Sequence, residues 1–198
     1  MRIILASGSP RRKEILHNAG YEFEIIKSEK EEIITKTIPA DVVKELSIVK
    51  AKDVEKKVSD NEDYMIIGAD TVVSVDNQIL GKPHSRDDAY NMISGLAGRE
   101  HRVYTGVTVI INENNVKKEL VFAAETKVRV ADMSEREIQE YISLDEPYDK
   151  AGAYAIQGRF AKYITSIEGE YNNVVGFPIA TFHKTLKEND IILYSKIK

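Results

Sequence analysis

Residues 64–75 read YMIIGADTVVSV. The run is apolar and rich in β-branched side chains, which predicts a central strand over Tyr64 to Val75. DNQ at 76–78 then turns the chain, and Ile79-Leu80 leads into GKPHSRDD. Upstream, Arg2 to Ala6 reads as a short buried strand, with Ser7-Gly8-Ser9 as the loop after it. Ser9 is a favourable N-cap and Pro10 suits a first helical position. Ile15, Leu16 and Ala19 supply that helix with an apolar face, and Gly20 is its stop. Phe23 to Ile26 reads as a second short strand, and SEKEEI at 28–33 as an acidic loop. Pro39 and Asp41 open a helix to about Val58, with Val42, Val43, Leu46, Val49 and Val54 as its buried stripe.

Downstream, Ser85 or Arg86 starts a helix through about Leu96. Val103 to Ile111 and Val116 to Val130 are two long strands joined by the turn NENN. Ser134 and Glu137 form the capping box of a helix that ends near Leu144. The loop DEPYDKAGAYAIQG follows, then a strand over Phe160 to Ile167 and a last helix from Pro178 to about Glu188. Alternating strands and helices followed by a long hairpin predict an α/β fold, a mixed sheet flanked by helices. No internal repeat, low-complexity tract or interdomain linker is visible. The 198 residues suit one domain, or one domain with two lobes.

The chain has no cysteine, which excludes disulfides, zinc-thiolate sites and a cysteine nucleophile. A net charge of -4 argues against duplex nucleic acid as a partner, but leaves room for a local basic pocket. No run approaches a membrane span, and the apolar start at Ile3 to Ala6 is too short for a signal peptide. A cytoplasmic protein with neither membrane nor nucleic-acid partner is expected.

The chemistry concentrates in a few stretches. ILASGSPRRKEIL at 4–16 places Arg11, Arg12 and Lys13 at the start of a helix, the end that favours acids. A glycine-containing strand-to-helix turn points backbone N–H groups at one spot and binds anions. Arginine forks beside it suit phosphate. Ordinary solvated cations ahead of a helix would read the same way, and the Walker pattern is missing. Asp70 inside an apolar strand either lines a cleft or caps a turn. Lys82, between Gly81 and Pro83, has a rigid base. EPYDKAGAYAIQG at 146–158 packs charges, small residues and one amide into a long loop, a form more often functional than connective. Glu29, Glu31 and Glu32 would hold Mg²⁺ if phosphates completed its shell, or else are a solvated acidic run. Lys50 and Lys52 fit either role, and His101 reads as structural before it reads as an acid or base.

In this order the motifs resemble the Maf family, named after a septum-formation protein. The resemblance rests on LASGSPRRKEIL at 5–16, SEKEE at 28–32, KA at 50–51, GADTVV at 68–73, GKP at 81–83, GLAGREHRVYTGV at 95–107, EPYDKAGAYAIQG at 146–158 and VVGFP at 174–178. It implies one Maf-like domain over 1–198, built as two lobes with a central cleft around an elongated mixed sheet, similar to inosine triphosphate pyrophosphatases. It implies a nucleoside triphosphate pyrophosphatase that cuts between the α- and β-phosphates with a divalent metal, Mg²⁺ or Mn²⁺. The loop at 146–158 looks like that of the subgroup acting on dTTP and UTP, with CTP or modified pyrimidines as further substrates. By that resemblance Asp70 is the proton acceptor, and Arg11, Thr71 and Gln157 fall at positions linked to pyrimidine preference. Ala155 stands where the subgroup usually has Gly, and Phe177 where Leu is common, which bears on fine substrate preference.

The expected roles follow. Arg12, Lys50 and Lys82 join Asp70 in catalysis by neutralising the triphosphate and the leaving pyrophosphate. Ser7, Arg11, Thr71, Gln157, Glu146 and Lys150 bind substrate, with Gln157 and Thr71 reading the base. Glu32 and Asp70 hold the metal. A homodimer is the expected assembly, because two-fold dimers are the commonest. The rival reading is a nucleotide sensor that acts on septum formation through a protein partner; it has no need of a base such as Asp70.

Overall fold

Side chains on β3 (Tyr64–Val75) alternate between two cores. Tyr64 and Ile66 enter one; Met65, Ile67, Ala69 and Val73 enter the other. A near-continuous apolar run is what a strand covered on both faces requires. The computed structural model describes residues 1–59 and 62–191. Within them β3 lies inside a seven-stranded sheet of order β2 (Glu24–Ile25), β1 (Arg2–Leu5), β3, β5 (Glu100–Glu113), β6 (Val116–Val130), β7 (Ile164–Glu168). A short β4 (Gln78–Leu80) folds back on the end of β3. β1 is parallel to β2 and β3, whereas β3–β5, β5–β6 and β6–β7 are antiparallel. The sheet is mixed, as the alternation followed by a hairpin predicts.

The order β2-β1-β3 places helices on both faces. From β1 the chain crosses through α1 (Pro10–Asn18) to β2, then reverses direction through α2 (Pro39–Glu55) to β3. Right-handed crossovers in opposite directions put their helices on opposite faces. Leu16 of α1 accordingly joins the larger core, with Ile93 and Leu96 of α3 (Arg86–Leu96), Tyr141 of α4 (Glu135–Ile142) and Phe182 of α6 (Ile179–Glu188). Val42, Val43, Leu46, Ala51 and Val54 of α2 fill two smaller clusters on the other face. Each such Val, Leu, Ile or Phe side chain, fully buried, stabilises the fold by about 1.5–3 kcal/mol before entropy is counted.

The α2 stripe differs from expectation: Val49 is only half-buried, while Ser47 and Ala51 are wholly buried. The reason is a close approach to the sheet. A Cβ on Gly68 would stand 2.4 Å from the Ser47 carbonyl oxygen and 2.9 Å from Ala51 Cβ; one on Gly106 would stand 2.2 Å from the Val43 oxygen. Bare backbone on the strands meets small residues on the helix.

Other boundaries also move. The strand expected from Phe160 begins at Ile164, because Arg159–Tyr163 coils into a 3₁₀ helix that buries Phe160 and Tyr163. A five-residue helix, α5 (Tyr171–Val175), was not expected. It is too short for a periodic apolar face to announce it. Ser9 holds the N-cap position of α1, but its side chain makes no capping bond. The Ser134–Glu137 capping box forms as predicted.

Candidate active site

β1 ends at Leu5, opposite Ile67, while β3 continues to Val75. Beyond Ile67 the β1 side of β3 is left to the loop Ser7-Gly8-Ser9, and Asp70 and Thr71 lie there. This is the carboxyl end of the parallel strands, at the point where their order reverses, the usual place for a ligand crevice in such sheets.

Successive strand residues face opposite ways. Asp70 shares the α2 face with Tyr64 and Ile66; Thr71 shares the α1 face with Met65 and Ile67. On the α2 face Lys50 Nζ pairs with Asp70 Oδ1 and, at 2.9 Å, with Glu32 Oε1. The Lys50 and Asp70 side chains are 15% and 14% exposed, and Glu32 is 48% exposed. The contact of α2 with Gly68 brings Lys50 within reach of Asp70. Two further carboxylates of α2 pin the segment that carries Glu32. Asp53 accepts from Ser28 Oγ and the Glu29 N–H, both at 3.0 Å, and Glu45 accepts from the Thr35 N–H at 2.9 Å.

On the α1 face Arg12 is 9% exposed. Its Nε donates to the Gly176 oxygen at 2.9 Å, Nη1 to Ser7 Oγ at 3.1 Å and Nη2 to Thr71 Oγ1 at 3.1 Å. Burial pushes the guanidinium pKa down, while the charges of Asp70 and Glu32 pull it up. An arginine stays charged in such surroundings. Ser7 Oγ also accepts from the Ser9 N–H at 3.3 Å. The Ser7 hydroxyl hydrogen has no acceptor among the described residues and remains available to a ligand oxygen. Thr71 meets Thr105 Oγ1 at 2.9 Å, and the Asn173 main-chain oxygen, 3.0 Å from Thr105 Oγ1, is a second acceptor in reach of the Thr105 hydroxyl.

Lys27 is a residue the motifs did not single out. A Cβ on Gly8 would stand 2.7 Å from Lys27 Cε and 3.3 Å from Nζ, so this lysine lies over the Ser7-Gly8-Ser9 loop. The pairing of Leu5 with Ile25 is the signal that would have found it: residues just past β2 flank those just past β1.

The remaining expected residues sit around the loop at 146–158. Partial burial pushes the Asp149 carboxyl up, but Lys150, bonded to it, and Arg11 more than reverse this and hold it below the usual range. The Gly152 N–H donates to the Gly81 oxygen at 2.9 Å, which brings Lys82 beside the same loop. The Lys82 side chain is exposed and makes no ion pair or hydrogen bond among the described residues. Glu146 does not join the cations. Its carboxylate accepts from the Arg159 N–H at 2.9 Å and from Tyr141 Oη at 3.0 Å, tying the start of the loop to α4 and to the 3₁₀ helix that follows it. Gln157 lines a 330 Å³ groove with Glu14, Asn18, Asn172 and Val175. Glu14 and Asn18 follow Arg11 at helical spacing, so the groove runs along the face of α1 that Arg11 begins.

A sequence profile described as "Maf-like protein" matches residues 2–189. The chain belongs to the Maf family. Among curated relatives of this Maf protein, one from Lachnoclostridium phytofermentans is 49% identical over 197 residues, 99% of each chain. One from Agathobacter rectalis is 48% identical, covering 94% of this chain and 97% of its own. One from Bacillus cereus is 44% identical over 96% of each. All three are named dTTP/UTP pyrophosphatase. Among solved structures, a nucleoside-triphosphatase / dITP/XTP pyrophosphatase from Mycobacterium abscessus aligns with 67% of this chain and 76% of its own. Its TM-score of 0.42 and 16% identity make a likeness too loose to argue from.

The described residues thus bring a carboxylate able to accept a proton, Asp70, to the same end of the sheet as a buried arginine, Arg12, with Lys27 over the Gly8 turn and Lys82 beside the loop at 146–158. Glu32 and Asp70 are the oxygen donors that share one cation, the Lys50 ammonium.

Proposed function

We propose that this Maf protein hydrolyses dTTP and UTP between the α- and β-phosphates, releasing the nucleoside monophosphate and pyrophosphate. The observation that carries the reading is the meeting of Asp70–Lys50 and Arg12–Ser7 at the carboxyl end of β1, where β3 runs on past it. Relatives at 44–49% identity named for that activity support it. The substrate is taken from the cytoplasmic nucleotide pool; no described helix is long and apolar enough to cross a membrane.

Arg12, held in one orientation by its bonds to Ser7, Thr71 and Gly176, presents fixed positive charge to the phosphates. Ser7 donates its free hydroxyl hydrogen to a phosphate oxygen. Arg11, Lys82 and Lys150 add charge from the loop side and stabilise the leaving pyrophosphate. Asp70 takes a proton from the attacking water, and Lys50 keeps that carboxylate oriented. Gln157 offers an amide donor and acceptor to the pyrimidine edge in its groove, and a purine would leave those groups unpaired.

Glu32 and Asp70 suit a hard divalent cation, Mg²⁺ or Mn²⁺, because both are carboxylates that already converge on a single positive charge. Among the described residues no third acidic or histidine side chain joins them, so phosphate oxygens and water would complete the shell. When bound, such an ion supplies charge neutralisation across the phosphates.

The test is pyrophosphate release from a panel of nucleotides with added Mg²⁺ or Mn²⁺. Wild-type protein is expected to favour dTTP and UTP. Asp70→Asn is expected to lose about 10²–10⁴-fold in turnover while still binding nucleotide; near-normal release by that variant defeats the role of Asp70. Gln157→Ala is expected to lose pyrimidine preference more than rate, and an unchanged substrate profile removes Gln157 from base recognition. A wild-type protein that binds nucleotides without turning any over would favour the sensor reading.

A further inference from the structure

Thr105 on β5 is wholly buried on the α1 face. Its hydroxyl has one hydrogen and two acceptors in reach: the Asn173 main-chain oxygen at 3.0 Å and Thr71 Oγ1 at 2.9 Å. If the hydrogen goes to Asn173, Thr105 becomes an acceptor and the Thr71 hydrogen goes to Thr105. If it goes to Thr71 instead, the Thr71 hydrogen has the Gly176 oxygen, 3.4 Å away, as its acceptor. In both arrangements the Thr71 hydrogen is used inside the protein, and its oxygen faces Arg12 Nη2 at 3.1 Å.

The far end of this chain is equally fixed. Asn173 is fully buried, and its side-chain amide donates to the Val103 oxygen and to Thr126 Oγ1, both at 3.0 Å. The helix it anchors, α5, is capped by Gly176, whose oxygen receives Arg12 Nε. Two of the three Arg12 contacts therefore trace back to one hydrogen-bonded chain through β6, β5 and α5.

We propose that Thr105 is a positioning residue for Arg12, acting through Thr71. The proposal rests on the reading of Arg12 as a triphosphate ligand. Thr105→Val preserves the shape and removes the hydroxyl, so Thr71 loses its bond to β5 and Arg12 keeps its bonds to Gly176 and Ser7 but loses the support behind its Thr71 contact. A small misplacement of a charge-stabilising group costs rate before it costs binding.

The experiment is steady-state kinetics with dTTP, together with thermal melting to check folding. Thr105→Val is expected to lower kcat about 10- to 100-fold while KM moves less than about threefold. Thr105→Ser, which keeps the hydroxyl, is expected to recover kcat to within about threefold of wild type. Thr71→Val and Thr71→Val/Thr105→Val are expected to agree within about twofold, because the second change has nothing left to act through. If Thr105→Val does not fold, Thr105→Cys, with its weak S–H donor, takes its place with the same expected loss. Additive losses in the double variant, or wild-type kinetics for Thr105→Val, overturn the positioning role while leaving Arg12 as a ligand. Wild-type turnover by Arg12→Ala overturns the underlying reading instead.

Discussion

At the scale of single residues, Lys27 and Glu146 show how chemistry and placement separate. Both are charged loop residues, and only Glu146 lies within one of the motifs. Yet Glu146 spends its carboxylate on the Tyr141 hydroxyl of α4 and the Arg159 N–H that follows the loop, while Lys27 lies over Gly8 in the turn after β1. An exposed ammonium beside the turn should add binding that is equal in ground and transition states. Lys27→Ala is therefore expected to raise KM for dTTP several-fold, on the order of one ion-pair contact, with kcat unchanged and the effect fading at high salt. Equal KM values for the two proteins at low salt remove Lys27 from the site. Residue type made Ser7, Arg12 and Asp70 legible as candidates, because an anion turn, a fixed cation and a carboxylate are what the chemistry needs, whereas Lys50 fitted either role by type and was singled out by the family motif. Lys27 was not legible, since its role depends on which strand pairs with β1.

At the scale of elements, α2 lies on the sheet through glycine. Gly68 leaves no room for a methyl group between β3 and the Ser47 carbonyl, and the neighbouring turn of α2 carries Lys50. Gly68→Ala must push the helix away from the strand. The expected cost is about 1–3 kcal/mol of stability in urea unfolding, with a fall in kcat as Lys50 is drawn from Asp70. Loss of stability with unaltered kcat would mean that the Lys50–Asp70 pair tolerates the shift. Apolar patterning read β3 and the β5–β6 hairpin correctly, and the capping box read the start of α4. α5 escaped because five residues cannot display a helical period, and Arg159–Tyr163 escaped because its aromatic side chains suit a strand equally well.

At the scale of the whole molecule, the acid end of the stability profile is tied to a histidine that joins β5 to the loop at 146–158. His101 is 2% exposed, its Nε2 lies 2.7 Å from Tyr154 Oη, and its Nδ1 has no partner among the described residues. Burial lowers its pKa from the usual 6.5 to about 4. The unfolded chain thus takes up the proton first as pH falls. The contribution of neutral His101 is complete above 6.5 and is lost as pH drops through about 4, a difference on the order of 3 kcal/mol. Urea midpoints between pH 7 and 4.5 should fall steeply for the wild type and less for His101→Gln. Parallel curves would place the acid sensitivity elsewhere.

Local chemistry by itself determined the long strands, the capped helices, the mixed α/β class and the residue types of a candidate phosphate site, because period, propensity and capping act over a few neighbouring positions. Only the tertiary structure decided which partner each site residue meets. Asp70 and Thr71 are adjacent in the chain, yet strand alternation turns one to Lys50 on α2 and the other to Arg12 on α1. Arg12 is held by Gly176, 164 residues away, and Thr71 by Thr105 across the β3–β5 pairing. Those meetings depend on the direction of the crossovers and on how closely α2 lies on Gly68 and Gly106. Both are properties of the packed sheet and its helices, and no short stretch of sequence contains them.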